Sequence, residues 1–219
     1  DGKIVKQDFL KAKDWYEKAA AQGYTHAQYN LGVIYEYGYG VKQDYLKAIE
    51  WYEKAAAQGF AYAQYNLGII YDNGYGVKQD YLKAKEWWEK AAAQGFAYAQ
   101  YNLGKIYSDG TGVKQDYLKA KEWYEKAAAQ GDALSQHNLG LMYYYGTGVK
   151  QDYLKAKEWW EKAAAQGDAP AQNNLGILYL NGLGVKHDKI VAKEWYKKAC
   201  DGEYQQGCNN YKKLNEQGF

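Results

Sequence analysis

The sequence contains no arginine, one proline, one methionine and two cysteines. All its basic residues are lysines, 28 against 26 acidic residues, which leaves a formal charge of only +2. Nucleic-acid readers lean on arginine for bidentate phosphate and guanine contacts and carry a one-sided basic patch. Here lysine and glutamate alternate throughout, so nucleic acid is not an expected partner. No apolar run approaches the roughly 18 residues a membrane-spanning helix needs. His26, His137 and His187 are far apart with no ligand spacing, so no metal and no cofactor is expected. Neither Gly-x-Ser-x-Gly nor Ser-x-x-Lys occurs. Glu50 and Glu53 look like an acid pair but recur as part of a charged helix face, so no catalytic residue is assigned. The chain opens on Asp1 without a Met, read as a processed or trimmed end.

What the sequence has in excess is self-similarity. Residues 77–112 are copied along the chain with few edits, and the Trp of each copy recurs at Trp15, Trp51, Trp87, Trp123, Trp159 and Trp195 (51 − 15 = 36, as for every later step). Asn-Leu-Gly recurs with the same spacing, ending at Gly32, Gly68, Gly104, Gly140 and Gly176. A fixed period of twenty to fifty residues marks a solenoid, in which each unit buries its apolar face against its neighbours. The expected fold is all-α. It divides into a half repeat over 1–23, full repeats over 24–59, 60–95, 96–131, 132–167 and 168–203, and a capping helix over 204–219, forming one solenoid domain over 1–219.

Each repeat reads as two helices. In the one between Asp44 and Gln58, called helix B, Ala48, Trp51, Tyr52 and Ala55 fall on one apolar stripe. Asp44 is its expected N-cap, Gly59 its C-terminal glycine, and Glu50–Lys54 an i,i+4 pair in the favourable order. The other, helix A, is expected over about Ala61 to Asn73. Asp132 and Asp168 can cap their copies, whereas Phe60 and Phe96 at the same place cannot. Pro170 falls in a first helical turn, where a missing N–H is tolerated. The Gly74-Tyr75-Gly76-Val77 loop lacks the Lys-Ser/Thr of a phosphate cradle and reads as a turn. In the half repeat, helix is expected from Asp8 to Gln22, with Gly2 and Val5 matching loop residues Gly38 and Val41. A glycine in mid-helix costs about 1 kcal/mol, so Gly68 and its copies imply a close approach, most naturally by the Trp/Tyr pair of helix B. Asn66 is expected to bond a neighbouring loop backbone. The last unit departs from the pattern, with Cys200-Asp201-Gly202, Cys208, and Lys212-Lys213 where Leu-Gly would stand.

Ala63, Leu67, Gly68, Tyr71, Gly74, Gly76, Val77, Ala84, Trp87, Trp88, Lys90, Ala91 and Ala92 together resemble the pattern of the Sel-one-like repeat (SLR) family, relatives of the tetratricopeptide repeats. The resemblance covers nearly the whole chain. It implies a right-handed α/α superhelix serving mostly as a scaffold for protein–protein contacts, often periplasmic or secreted in bacteria. Cys200 and Cys208 resemble the eight-residue cysteine spacing of that family's cysteine-rich secreted branch, which implies a disulfide between them. The alternative is two unrelated buried thiols. An oxidised pair would place the chain outside the cytoplasm.

Comparison of the repeats with one another locates a candidate site. The positions equivalent to 62, 65, 69, 72 and 73 vary, and at about 100° per residue they share an arc of about 100° on helix A. The near-constant Ala63, Gln64, Asn66, Leu67, Gly68, Ile70 and Tyr71 fill the other side. Constancy marks what stacking requires; variation marks what it leaves free. The expected partner-binding residues are Tyr29, Tyr62, Tyr65, Asp72, Tyr98, Tyr101, Lys105, His137 and Tyr144, with the tyrosines forming a ladder suited to burial in an interface. The expected function is an extracytoplasmic monomer binding a protein or peptide in a concave groove, as an adaptor or an immunity- or inhibitor-type partner. The alternatives are peptidoglycan or glycan binding, and a β-lactam-directed enzyme of the cysteine-rich branch.

Overall fold

The computed structural model describes residues 2–218, with side chains from Asp8 onward. All the elements in that span are helices: α1 (Gly2–Ala21), α2 (Thr25–Tyr37), α3 (Tyr45–Ala57), α4 (Ala61–Asn73), α5 (Tyr81–Ala93), α6 (Ala97–Asp109), α7 (Tyr117–Ala129), α8 (Ala133–Tyr145), α9 (Tyr153–Ala165), α10 (Ala169–Asn181), α11 (Lys189–Asp201) and α12 (Gln205–Glu216). Even-numbered helices are of type A and odd-numbered ones of type B. The chain is an all-α solenoid of helix pairs. Its contacts divide it into two compact units, Asp1–Leu103 with Thr111–Val113, and Gly104–Gly110 with Lys114–Phe219. In the first unit α1 to α5 pack each on the next; in the second α7 to α12 do the same. The expected ends of the array, Asp1 and Phe219, lie outside the described residues.

Helix boundaries follow their caps. Asp44, Asp80, Asp116 and Asp152 each accept the N–H of the residue three further on, starting α3, α5, α7 and α9 at the following Tyr. Asp132 and Asp168 do the same for α8 and α10. Phe60 begins α4 with no side-chain cap. The A helices α2, α4, α8 and α10 end on glycines in the left-handed conformation, and a side-chain strut closes the loops that follow α2, α4, α6 and α8. Gln43, Gln79, Gln115 and Gln151 donate to the carbonyls of Glu36, Asp72, Ser108 and Tyr144. Helix α1 begins at Gly2, six residues before the expected Asp8. Ile4 stands where the other loops have their second glycine, which removes the left-handed turn and lets the helix run on.

The core is made by the glycines of helix A and the aromatics of helix B, and only one member of each aromatic pair takes part. A Cβ added at Gly32, Gly68, Gly104, Gly140 or Gly176 would overlap the ring of Tyr52, Trp88, Tyr124, Trp160 or Tyr196 respectively. Each ring is almost wholly buried, and the Trp88 and Trp160 indoles donate to the carbonyls of Tyr65 and His137. Burial in low dielectric pushes the Tyr196 hydroxyl up to about 12 and the Tyr52 hydroxyl higher still, in the latter case helped by the Glu36 carboxylate.

The first aromatic of each pair corrects the expected stripe. Trp51 is only half-buried: it packs against Ala20 of α1 and Ala27 and Leu31 of α2, and Lys54 covers its outer face at 3.9 Å. The same cover recurs at Lys90 on Trp87, Lys126 on Trp123, Lys162 on Trp159 and Lys198 on Trp195, each worth about 0.5–1 kcal/mol at an exposed site. Lys54 therefore serves a ring rather than the expected pair with Glu50. The i,i+4 ion pairs run in the opposite order, Lys85–Glu89, Lys121–Glu125 and Lys157–Glu161. Gln28, Gln64, Gln136 and Gln172 bond a carbonyl of the helix before them. Three of them also accept a hydrogen bond from the end of the following B helix in the same repeat, from Gln58, Gln94 and Gln166.

Candidate functional site

In the first unit the variable arc is lined with interlocked rings. Tyr29 lies edge-on to Phe60 at 5.1 Å and reaches Tyr62 at 6.2 Å. Tyr62 meets Phe96 edge-on at 4.8 Å. Tyr65 packs on Phe96 at 5.2 Å and reaches Tyr98 at 6.1 Å. His26 extends the series onto Phe60 at 4.9 Å. Such pairs are worth about 0.5–1.5 kcal/mol each beyond the area they bury. Tyr62 and Tyr98 remain 52% and 59% exposed, so the ladder is held from behind and open in front. The sequence reading placed Tyr65 outside the stacking set. The structure places it within, on the ring of the next repeat, because Phe96 occupies the uncapped N-terminus of α6.

Beside the ladder sits a buried carboxylate. Glu36 is 8% exposed and accepts a short hydrogen bond from the Tyr52 hydroxyl. Asn66 donates to that same hydroxyl at 3.1 Å, which corrects the expectation that Asn66 bonds a loop backbone. Burial raises the Glu36 carboxyl above its ordinary range, against the opposing pull of its bonds from Tyr52 and Tyr37.

The second unit builds the same helix positions from different chemistry. His137 stands where Tyr65 does, and Asp168 where Phe96 does, with Nδ1 of His137 3.0 Å from the carboxylate. Asp168 also caps α10 through the Ala171 N–H. Burial works to raise its carboxyl, but the His137 bond, the Ala171 N–H and the His137 charge outweigh it and hold the carboxyl below the usual range. Tyr144 packs on Tyr153 and Trp160, both at 5.4 Å, and on Tyr145 at 4.9 Å. A cleft of about 430 Å³ opens between the carbonyl ends of α6 and α8, walled by Ser108, Asp109, Leu141 and Tyr145 with Tyr124 and Tyr117 from α7. Ser108 occupies the position of Glu36, and its short side chain leaves open the space that Glu36 fills over Tyr52.

Of the expected residues, Tyr29, Tyr62, Tyr65 and Tyr98 come together in one connected series. His137 and Tyr144 lie in the second unit with the partners just described. Tyr101 is half-buried on α6, Asp72 half-buried on α4, and Lys105 exposed on α6. Sequence reasoning passed over Phe60 and Phe96, noticed only as residues unable to cap, and over Asp168, noticed only as a cap. In each case the signal was present at the residue 31 positions after the variable Tyr or His. Cys200 and Cys208 form a disulfide joining α11 to α12. No described helix is long and apolar enough to cross a membrane, and the described residues hold no cluster of side chains able to bind a metal ion.

The Sel1 repeat model matches residues 1–24, 25–60, 61–96, 97–132, 133–168 and 169–204. Among solved structures, the chain is similar to a protective antigen present in uropathogenic Escherichia coli strains and displaying an SLR fold, at 38% identity and a TM-score of 0.84. That match covers 94% of this chain and 49% of the antigen, so the chain spans about half its length. It is similar to a Sel1 repeat protein from Oxalobacter formigenes at 35% identity and a TM-score of 0.81, over 91% of this chain and 84% of that one. An immunity protein from Pseudomonas aeruginosa is 25% identical with a TM-score of 0.54, over 89% and 75% respectively. Among curated proteins, none matches.

Proposed function

We propose that this chain, which belongs to the Sel1 repeat family, binds a partner protein or peptide through the variable arc of its A helices, with the ring series of the first unit as anchor. The Sel1 repeat is a scaffold fold, and its use in protein–protein contact is the coarse function the family carries. The observation that carries the finer reading is the ladder itself. Tyr62 and Tyr98 hold more than half their surface open while Phe60 and Phe96 fix them from behind. Rings already ordered lose little freedom on binding, which is how buried aromatic anchors come to dominate an interface. The edge-on geometry favours a protein over a glycan, because sugar rings stack on open ring faces and several of these faces are taken by a neighbouring edge. The similarity to an immunity protein supports an adaptor or immunity-type role. The disulfide supports a periplasmic or secreted setting.

The test is affinity capture from the native source followed by titration of the captured partner. Tyr62→Ala with Tyr98→Ala should weaken binding by about 2 kcal/mol per anchor, roughly 30-fold each, with little loss of helical signal. The control pair on the B helices, Lys85→Ala with Glu122→Ala, should leave affinity almost unchanged. If the control pair abolishes binding and the tyrosine pair does not, the binding face is elsewhere. Competition by muropeptides at micromolar concentration would favour the glycan reading instead.

A further inference from the structure

Asp109 is locally the wrong residue for its place. It is the last residue of α6, where the carbonyl end of a helix disfavours negative charge. At the equivalent place, α4 and α10 carry Asn73 and Asn181, which turn back to donate to the carbonyls of Ile69 and Ile177. A carboxylate cannot make that bond. Asp109 is exposed and, among the described residues, has no ion-pair partner. It faces the cleft of about 430 Å³ in the second unit, whose other walls include the rings of Tyr117, Tyr124 and Tyr145 and the side chains of Asn138 and Ser108. No lysine lines it.

We propose that this cleft is a subsite for the guanidinium of an arginine side chain presented by the partner protein. The proposal rests on the reading of the chain as a protein-binding scaffold and names the chemistry one pocket of that scaffold takes. Three tyrosine rings, Tyr117, Tyr124 and Tyr145, line the cleft, and the face of such a ring attracts a cation within about 6 Å of its centroid. The acceptors are one carboxylate, a side-chain amide oxygen and hydroxyls, and the cleft is broad. A planar fork with five N–H donors uses several acceptors at once, whereas a compact ammonium uses fewer and gives up more hydration. The chain contains no arginine, so a second copy of it is not the occupant. A cation brought to Asp109 also relieves the charge at the carbonyl end of α6, where α4 and α10 carry a neutral asparagine.

The probe is N-acetyl-arginine methylamide, titrated into the isotope-labelled full chain and followed by NMR. Saturable shifts are expected at Asn138 and at the Tyr117 and Tyr145 rings, with millimolar affinity. Asp109→Asn should weaken that affinity at least fivefold while preserving the fold, since asparagine is native at the equivalent positions of α4 and α10. The lysine analogue should bind at least threefold more weakly than the arginine probe. Absence of saturable shifts, equal binding by Asp109→Asn, or equal binding of the lysine analogue would each overturn the proposal. Tyr62 and Tyr98 lie outside the cleft, so a negative result here leaves the outcome of their partner titration standing on its own.

Discussion

Residues 31 positions apart meet in both units, and they meet in different ways. In the first unit Tyr29 meets Phe60, and Tyr65 meets Phe96, ring on ring. In the second unit the same spacing brings His137 to Asp168 as a hydrogen-bonded pair. Beneath these contacts nothing changes, since each A helix lays its glycine on the second aromatic of the following B helix in both units. The lesson is a division of labour within one helix. The side facing helix B has one solution, a glycine opposite a large ring, while the arc beyond it tolerates any pair that satisfies its own atoms. The first unit thereby acquires an apolar ladder and the second a polar arc with an open cleft.

The most damaging way to test that division is to fill the glycine in each unit. Gly68→Val would push into Trp88 and Gly140→Val into Trp160, where the incoming atoms meet buried rings unable to withdraw. Each should cost about 3 kcal/mol or more by chemical denaturation, at or beyond the usual range for overpacking. The two losses should agree within about 1 kcal/mol. A much smaller loss in one unit would show that the shared framework is shared only in outline.

A gentler test exchanges the variable pair. Asp168→Phe imports the first unit's residue into the second, removing the cap of α10 and leaving His137 without its carboxylate. The expected cost is about 1–2 kcal/mol, mostly the cap. Adding His137→Tyr should restore about 0.5–1.5 kcal/mol by rebuilding the ring pair. The acid limb should change as well. The Asp168 carboxyl is depressed on folding, so its contribution is present above the ordinary carboxyl value of 3.8 and is lost as pH falls through the depressed one. Unfolding followed from pH 7 down to pH 3 should therefore show a shallower acid loss in the double variant. An unchanged acid limb would mean that the His137–Asp168 pair does not hold that carboxyl down.

This split also explains what could be read in advance. The repeat period, the helix pairs, the Asp caps and the close approach at Gly68 all rest on features repeated along one sequence, and repetition separates them from local accident. What escaped depends on which way a side chain turns. Trp51 and Tyr52 are adjacent and both apolar, yet one is the buried ring and the other a surface plate under Lys54. Phe60 and Phe96 were legible only as failed caps, because a ring's partner is fixed by the packing of the next repeat. The cleft at Asp109 depends on the absence of bulk at Ser108, and a sequence does not display a vacancy.

The C-terminal turn offers the smallest effect and the sharpest contrast with the other repeats. Gly23, Gly59, Gly95, Gly131 and Gly167 all take positive φ at the turn from helix B to helix A. In the last repeat the glycine falls one residue early, and Glu203 occupies that position with a φ of 61°. A residue with a Cβ pays roughly 1 kcal/mol or more in the left-handed region. The turn persists because Cys200 and Cys208 bridge it, and Gly207 lets α12 approach Ala199 too closely for a Cβ. Glu203→Gly should relieve the strain at the expense of a looser unfolded chain, for a net gain of under about 1 kcal/mol. The same change at reduced cysteines should help more visibly, because a short-loop bridge otherwise supplies about 2–3 kcal/mol of constraint to this turn. Hydrogen exchange of the α12 amides, measured oxidised and reduced with and without the substitution, separates the two terms. If Glu203→Gly slows exchange no more in the reduced protein than in the oxidised one, the bridge is not what holds Glu203 in its left-handed conformation.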